Sequence, residues 1–364
     1  MTFARRSTFA VLAAIALVAT ACGGGAPGVG QAGPTAAVPA APAATATPDR
    51  FFEGKTIRVV VGLEAGGGFD TTARLLARHM GKYIPGNPTL VVENMPGAGS
   101  RVAANFLYKV AQPDGLTFGV FNEVQVLQQA QGAAGIEFDA TKYSWLGSAF
   151  SATIVCLARK DSGFTKIEDT VGASKPFIVG STGPGSNTGD FPQVLRAALG
   201  ANIKVVGGYQ GTAGISRAVE TNEVQGGCWT WETMRVTQGQ NIQSGAMIPL
   251  VQQGAQKEKD LPNTPLAVDV AKTAEAKAML KAVTAPGVIS KPFAAPPGVP
   301  EARLKILQEA FLKAWQDKDL LEEAAKAKID VGPKDAASVL ATVKELLATD
   351  KAVLAQLTAA LAAK

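Results

Sequence analysis

The chain has 364 residues, of which 47% are hydrophobic, 18% charged and 6% aromatic; it holds 39 glycines and 21 prolines and carries a formal charge of +5. That apolar fraction excludes a fully disordered chain, and the length suffices for two domains of ordinary size. A single histidine and three cysteines argue against multi-histidine metal sites, His-relay chemistry and a disulfide-built miniature fold, and no Lys/Arg run interleaved with aromatics marks a nucleic-acid surface.

Residues 1–21 read as an export signal. Arg5 and Arg6 form a positive start, and Phe9 to Ala21 is an uncharged apolar run, too short to span a bilayer of roughly 30 Å as a helix. The run ends Ala19-Thr20-Ala21-Cys22 before three glycines. This resembles a bacterial lipoprotein lipobox, with Ala19 where leucine is usual, and implies a lipidated Cys22 as the mature N-terminus. Ordinary cleavage after an A-x-A pattern is the competing reading. Residues 22–50 are almost wholly Gly, Ala, Pro, Thr and Val, without charge before Asp49. They cannot bury enough side chain to offset ordering entropy and are expected to form a tether.

From Phe51 onward strands alternate with helices. Ile57–Val61 is an apolar run expected of a strand buried on both faces. Gly62 to Asp70 then leads into a helical pattern with Ala73, Leu76, Ala77, Met80 and Ile84 on one face, Asp70 standing where an N-cap is expected. Further strands are predicted at 90–93, 118–121, 154–158, 177–180, 203–206 and 248–251, most followed by a Gly-rich turn and a helical stretch. Helices are predicted over 300–318 and 335–364. This order argues for α/β architecture with largely parallel sheets.

In such sheets ligands bind beyond the carboxyl ends of strands. Two loops there carry the right chemistry: Gly66-Gly67-Gly68-Phe69-Asp70-Thr71, and Ser181-Thr182-Gly183-Pro184-Gly185-Ser186-Asn187-Thr188. Both bring backbone N–H groups and hydroxyls to a helix start, where the helix dipole favours an anion. Neither matches a nucleotide motif: G-x-x-x-x-G-K-[ST] is absent and Gly66–Gly68 lacks the G-x-G-x-x-G spacing. Such turns are also common as purely structural features.

The Gly-Gly-x-x-Asp loop running into Ala73-Arg74, Glu93-Asn94-x-Pro96-Gly97-Ala98-Gly99, Pro113-Asp114-Gly115-Leu116-Thr117, the 180–186 loop, Tyr209-Gln210-Gly211-Thr212, Leu261-Pro262-Asn263-Thr264-Pro265 and Ala295-Pro296-Pro297-Gly298-Val299-Pro300 occur in that order. Together they resemble the substrate-binding proteins of tripartite tricarboxylate transporters, over residues 55–345. The resemblance implies a periplasmic-binding-protein fold of type II-like form, with two α/β domains joined by a two-crossing hinge and a ligand cleft between them. The domains implied are 51–150 plus 250–364, and 151–249.

It further implies an extracytoplasmic receptor that closes on a small carboxylate, held by Gly66, Gly67, Gly68, Phe69, Asp70 and Thr71 from one loop. Ser181, Thr182, Gly183, Gly185, Ser186 and Asn187 serve from the other. The implied partners are that ligand and the membrane permease; the protein is expected to be a monomer held at the membrane by its lipid, without cofactor, metal or nucleic acid. A sensing module of the same fold is the alternative, and no nucleophile–base pair or metal motif suggests an enzyme. Phe69 stands where a small hydroxyl residue is more usual.

Other residues carry open readings. Asn122, Glu123 and Gln125 follow a strand and are candidates to line the cleft, and Tyr209 and Thr212 to offer hydroxyls to the far end of the ligand. Glu93 and Asn94 are expected to fix a turn, and His79 to be a surface or packing residue. Trp229 and Trp231 alternate as a strand would, one facing a core and one the cleft, or both a core. Phe69 with one of them suits a ligand with an apolar body. Cys156 and Cys228 are either a disulfide or two buried thiols.

Overall fold

The computed structural model describes residues 50–362. The export signal, Cys22 and the tether up to Asp49 lie outside the described residues. The chain runs β1 (Thr56–Val61), α1 (Gly68–Met80), β2 (Thr89–Asn94), α2 (Arg101–Lys109), β3 (Thr117–Val120), α3 (Val124–Ala130) and β4 (Ser144–Phe150). It continues through β5 (Ile154–Arg159), β6 (Phe177–Gly180), α4 (Asn187–Leu199), β7 (Ile203–Val206), α5 (Thr212–Glu220), β8 (Gly226–Thr230), α6 (Trp231–Thr237), α7 (Gly239–Gln243), β9 (Met247–Gln253), α8 (Ala267–Val270) and α9 (Ala274–Thr284). It ends with β10 (Ser290–Ala295), α10 (Glu301–Trp315), α11 (Lys318–Lys326), β11 (Lys334–Asp335), α12 (Ala336–Leu347) and α13 (Lys351–Ala362).

Two sheets organise these elements. The first has the order β11-β4-β10-β3-β1-β2, the second β7-β6-β8-β5-β9. Ile57, Val59, Val60 and Val61 are all fully buried, because β1 is interior to its sheet and covered on both faces. In α1, Ala73, Leu76 and Met80 recur at helical spacing and join Ile57, Val59 and Val61 in one core. A separate core in the second lobe gathers Phe177, Val179, Phe191, Leu195 and Ile203.

The predicted strands all appear, but the sheets are mixed rather than largely parallel. β1 pairs in parallel with β2 and β3, while β10 pairs antiparallel with β3 and β4. In the second sheet β6 is parallel to β7 and β8, whereas β5 is antiparallel to β8 and β9. The antiparallel strands are those by which the chain leaves one lobe and returns from the other. β4 and β5 are separated only by residues 151–153, the outward crossing.

The return comes later than the expected 250. β9 pairs with β5 up to Gln253, and Ala267, Ala276, Leu280 and Val283 belong to the second lobe's core. The chain regains the first sheet at β10. A third crossing was not foreseen: the helical stretch predicted over 335–364 breaks into α12 and α13. Val339, Val343 and Leu346 of α12 pack in the first lobe, while Leu357 of α13 joins the second lobe's core. Asp350 turns the chain here, its carboxylate accepting the N–H groups of Ala352 and Val353 at 2.8 and 3.2 Å.

Cys156 and Cys228 face each other on β5 and β8 and form a disulfide. Among the described residues no helix is long and apolar enough to cross a membrane.

Candidate functional site

The first glycine loop leaves β1 and opens α1. Its N-cap is Gly67, not Asp70. Asp70 lies in the first turn and reaches back, accepting the Gly66 N–H at 2.9 Å, which ties down the left-handed Gly66 at φ +82°. The same carboxylate accepts Arg74 Nε at 2.9 and 3.0 Å and Asn94 Nδ2 at 2.9 Å. Burial pushes its pKa upward, but the hydrogen bonds from Arg74, Gly66 and Asn94 outweigh that and hold it below the ordinary value. Asp70 therefore shapes the loop rather than presenting a free carboxylate.

The loop is pressed against the opposite lobe. A Cβ on Gly68 would lie 1.9 Å from Thr233 Oγ1, and one on Gly67 2.9 Å from Thr212 Oγ1; only glycine permits this approach. The Thr71 hydroxyl stays local, donating to Gly68 O at 3.2 Å. Beside the loop, Glu64 N–H donates to Gln210 O at 3.0 Å, and the Glu64 carboxylate accepts the Gly214 N–H at the start of α5.

The second loop leaves β6 and opens α4, with Ser186 as N-cap accepting the Gly189 N–H. Its hydroxyls are mutually bound: Ser181 Oγ accepts the Gly183 N–H at 2.9 Å, and Thr188 Oγ1 accepts the Thr182 N–H at 2.9 Å. Gly183 and Gly185 have φ of +116° and +74°. This loop docks on the first lobe, where Gln125 Nε2 donates to Gly185 O at 2.6 Å and to Gly99 O at 3.0 Å. Gln128 Nε2 donates to Asp190 Oδ2 at 2.8 Å, and Asp190 Oδ1 accepts the Gly185 N–H at 2.9 Å. Burial raises the Asp190 carboxyl to about 7, against the Gly185 and Gln128 hydrogen bonds and the Arg101 charge. A cavity of about 240 Å³ lies beside this loop, lined in part by Gln128, Ser181, Gly183 and Asp190.

A chain of buried polar groups joins the two loops. Asn187 Nδ2 donates to Glu123 Oε1 at 2.8 Å, and the Lys291 N–H to Glu123 Oε2 at 3.3 Å. Desolvation raises the Glu123 pKa. Lys291 Nζ then donates to Thr72 Oγ1 on α1 and to Glu232 Oε2 on α6, both at 2.9 Å. Glu232 Oε2 also accepts the hydroxyl of Thr233, the residue that meets Gly68. The closed lobes thus bury acids and one lysine between two anion-favouring helix starts. Among the described residues no cluster of histidine, cysteine and acidic side chains is arranged to hold a metal ion.

A family model described as "Tripartite tricarboxylate transporter family receptor" matches residues 72–358. The chain belongs to that family. Solved structures similar to this receptor include the periplasmic binding protein BugD, at 19% identity with a TM-score of 0.69, covering 85% of this chain and 98% of that one. MatC from Rhodopseudomonas palustris, with bound malate, is 22% identical at a TM-score of 0.65, covering 83% of this chain and 100% of its own. A second R. palustris protein, with adipate, is 16% identical at a TM-score of 0.67, covering 84% and 98%. These likenesses establish the fold, two α/β lobes of the periplasmic-binding-protein kind. A search of curated proteins found no match.

In this family receptor the remaining predicted residues separate. Thr212 faces the first loop, but the Tyr209 hydroxyl donates to Glu223 Oε1 at 2.6 Å within its own lobe and is not aimed across the cleft. Burial and that carboxylate raise the Tyr209 phenol to about 12. Asn122 lies just before α3, whose N-cap is Glu123, and its Oδ1 accepts the Val124 N–H at 3.0 Å. Trp229 ends in β8 while Trp231 begins α6, so the two do not alternate as one strand. Both belong to a single core cluster of the second lobe, and Phe69 to the first lobe's core, with its ring centroid 5.9 Å from Lys291 Nζ. His79 binds Glu323 Oε2 at 2.8 Å on the outer side of α1. Thr72, Glu232, Thr233 and Lys291 were not foreseen; the Lys291 stretch, Ser290-Lys291-Pro292, reads as a poor strand because proline cannot donate to a ladder.

Proposed function

We propose that this receptor captures a small carboxylate between its two lobes and delivers it to the membrane permease of a tripartite transporter. The observation that carries the reading is reciprocal docking: each glycine-rich helix start lies against the opposite lobe, Gly68 against Thr233 and Gly185 against Gln125. A ligand carboxylate held at those helix starts joins both halves of the molecule and so favours the closed form, a shape the permease can distinguish from the open one. The malate and adipate of the two R. palustris neighbours support a carboxylate as the class.

In this reading the ligand-facing groups are Gly66–Thr71, Thr212, Ser181, Thr182, Gly183, Gly185, Ser186 and Asn187, acting mostly through backbone N–H groups at the two helix starts. The mature chain is a monomer, carries lipid on Cys22 and uses 22–50 as its tether to the extracytoplasmic membrane face. It binds and releases its ligand without turnover.

The test is thermal unfolding of the mature chain against mono-, di- and tricarboxylates. A ligand that binds only the folded state stabilises it by about 2.7 kcal/mol at 100 times its Kd. A rise in Tm with at least one member supports the proposal, and no rise with any of them overturns it.

A further inference from the structure

The ion pair between Lys291 and Glu232 has features that a purely structural pair does not need. It spans the cleft: Lys291 lies on β10 in the first sheet, and Glu232 on α6, directly after β8 of the second. Both side chains are essentially without solvent contact, at 0% and 1% exposure. Lys291 is held in the left-handed region at φ +53°, a conformation that costs a residue with a Cβ and persists where surroundings enforce it. Its ammonium is fixed by Thr72 Oγ1 and lies 4.7 Å from the Phe150 ring centroid. On the other side, Glu232 Oε2 accepts Thr233 Oγ1 at 2.8 Å and Thr230 Oγ1 at 3.3 Å, whereas Glu232 Oε1 is buried with no hydrogen-bond partner. A buried acceptor left unpaired is costly and marks a place where a donor belongs.

We propose that Lys291 and Glu232 select the ligand, and that they select one carrying an ammonium as well as a carboxylate: an amino acid in preference to a plain carboxylate of the same length. This rests on the receptor reading above. When the lobes part, lysine and glutamate leave with different lobes, and each buried charge needs a new counter-charge when the cleft closes on a ligand. A carboxylate replaces Glu232 at Lys291. A plain monocarboxylate then leaves Glu232 without a counter-charge, and a dicarboxylate sets an anion against it, where like charges at close range oppose closure. A ligand ammonium instead pairs with Glu232 and supplies the donor that Oε1 lacks. The zwitterion satisfies both charges and leaves the closed cleft with its original net charge.

Calorimetric titration of the mature chain with matched pairs tests this: aspartate against succinate, glutamate against glutarate, alanine against propionate. The amino member of at least one pair is expected to bind tenfold or more tighter. Glu232→Gln is expected to bring that ratio close to one, and Lys291→Met to weaken both members. Ratios below tenfold in every pair, or a ratio unchanged in Glu232→Gln, overturn the inference. Should a variant fail to fold, the wild-type ratios decide. Plain carboxylates that bind as tightly as their amino partners overturn this inference alone, while no binding by any member overturns it too and, joined to no rise in Tm with any carboxylate of the wider panel, overturns the receptor reading with it.

Discussion

Replacing Gly68 by alanine isolates the closure step from the rest of the fold. Gly68 is the first residue of α1 and has no positive φ, so a methyl group there is compatible with the backbone and favours the helix by up to about 1 kcal/mol. In the closed form that methyl would lie 1.9 Å from Thr233 Oγ1, 3.0 Å from Thr233 Cβ and 3.1 Å from Thr233 Cγ2. Rotating Thr233 about χ1 exchanges hydroxyl for methyl or breaks its hydrogen bonds with Thr230 and Glu232, at 2.9 and 2.8 Å. The strain must be met by the two lobes moving apart. Overpacking of this kind costs about 1–3 kcal/mol, or roughly a 5- to 150-fold loss of affinity at RT of about 0.59 kcal/mol. Calorimetric titration with the tightest carboxylate gives the Kd, and chemical denaturation without ligand tests that the chain remains folded. Thr233→Ala in the Gly68→Ala background removes Oγ1 and Cγ2 and recovers part of the affinity. Gly68→Ala binding within twofold of wild type, or no recovery in the double variant, refutes the reasoning.

Asp70→Ala removes the acceptor for Gly66, Arg74 and Asn94; with hydrogen bonds to charged groups worth about 1.5–3 kcal/mol, the variant loses roughly 2 kcal/mol by urea denaturation and binds ligand more weakly. Unchanged affinity removes the loop's rigidity from the account. Replacing both Cys156 and Cys228 by alanine opens a link across a sequence separation of 72 and lowers stability by ~4 kcal/mol on the chain-entropy argument, and reductant added to the wild type does the same. Asp190 gives a pH dependence. Its folded value of about 7 exceeds the unfolded value of ~3.9, so between the two the folded state keeps a proton that the unfolded state has lost. This acid's contribution to stability therefore falls as pH rises through that window, by up to about 1.4 kcal/mol per pH unit, and is level above it. Asp190→Asn does not titrate, so the stability difference from wild type changes with pH, and a constant difference contradicts the assignment.

The parts of the molecule legible in the sequence are those whose logic is local. The run at Ile57–Val61 and the glycine loops at 66–71 and 181–188 state their strand, turn and helix start within a dozen residues, and the ordered motifs identify the family. Asp70 was misplaced by three positions as an N-cap because glycine holds that place and the acid acts backward from the first turn. β10 escaped notice because Lys291 and Pro292 break the pattern of a central strand, yet Pro292 is accommodated opposite Ser148 next to a register shift. The charged centre of the cleft could not be read at all. Lys291 lies 219 residues from Thr72 and 59 from Glu232, and only the return of the chain across the lobes brings them together. The late return at β10 was hidden for the same reason, since the apolar residues of α9 fit either core and only packing against α4 assigns them.

The most direct test of carboxylate capture between the lobes is a structure of the mature chain with its tightest-binding carboxylate. The account predicts the ligand between the Gly66–Thr71 and Ser181–Asn187 loops, in contact with Lys291 and with Glu232 no longer paired to it. A ligand found instead in the cavity of about 580 Å³ on the second lobe, lined in part by Arg159, Lys160 and Met247, with the Lys291–Glu232 pair intact, would contradict it.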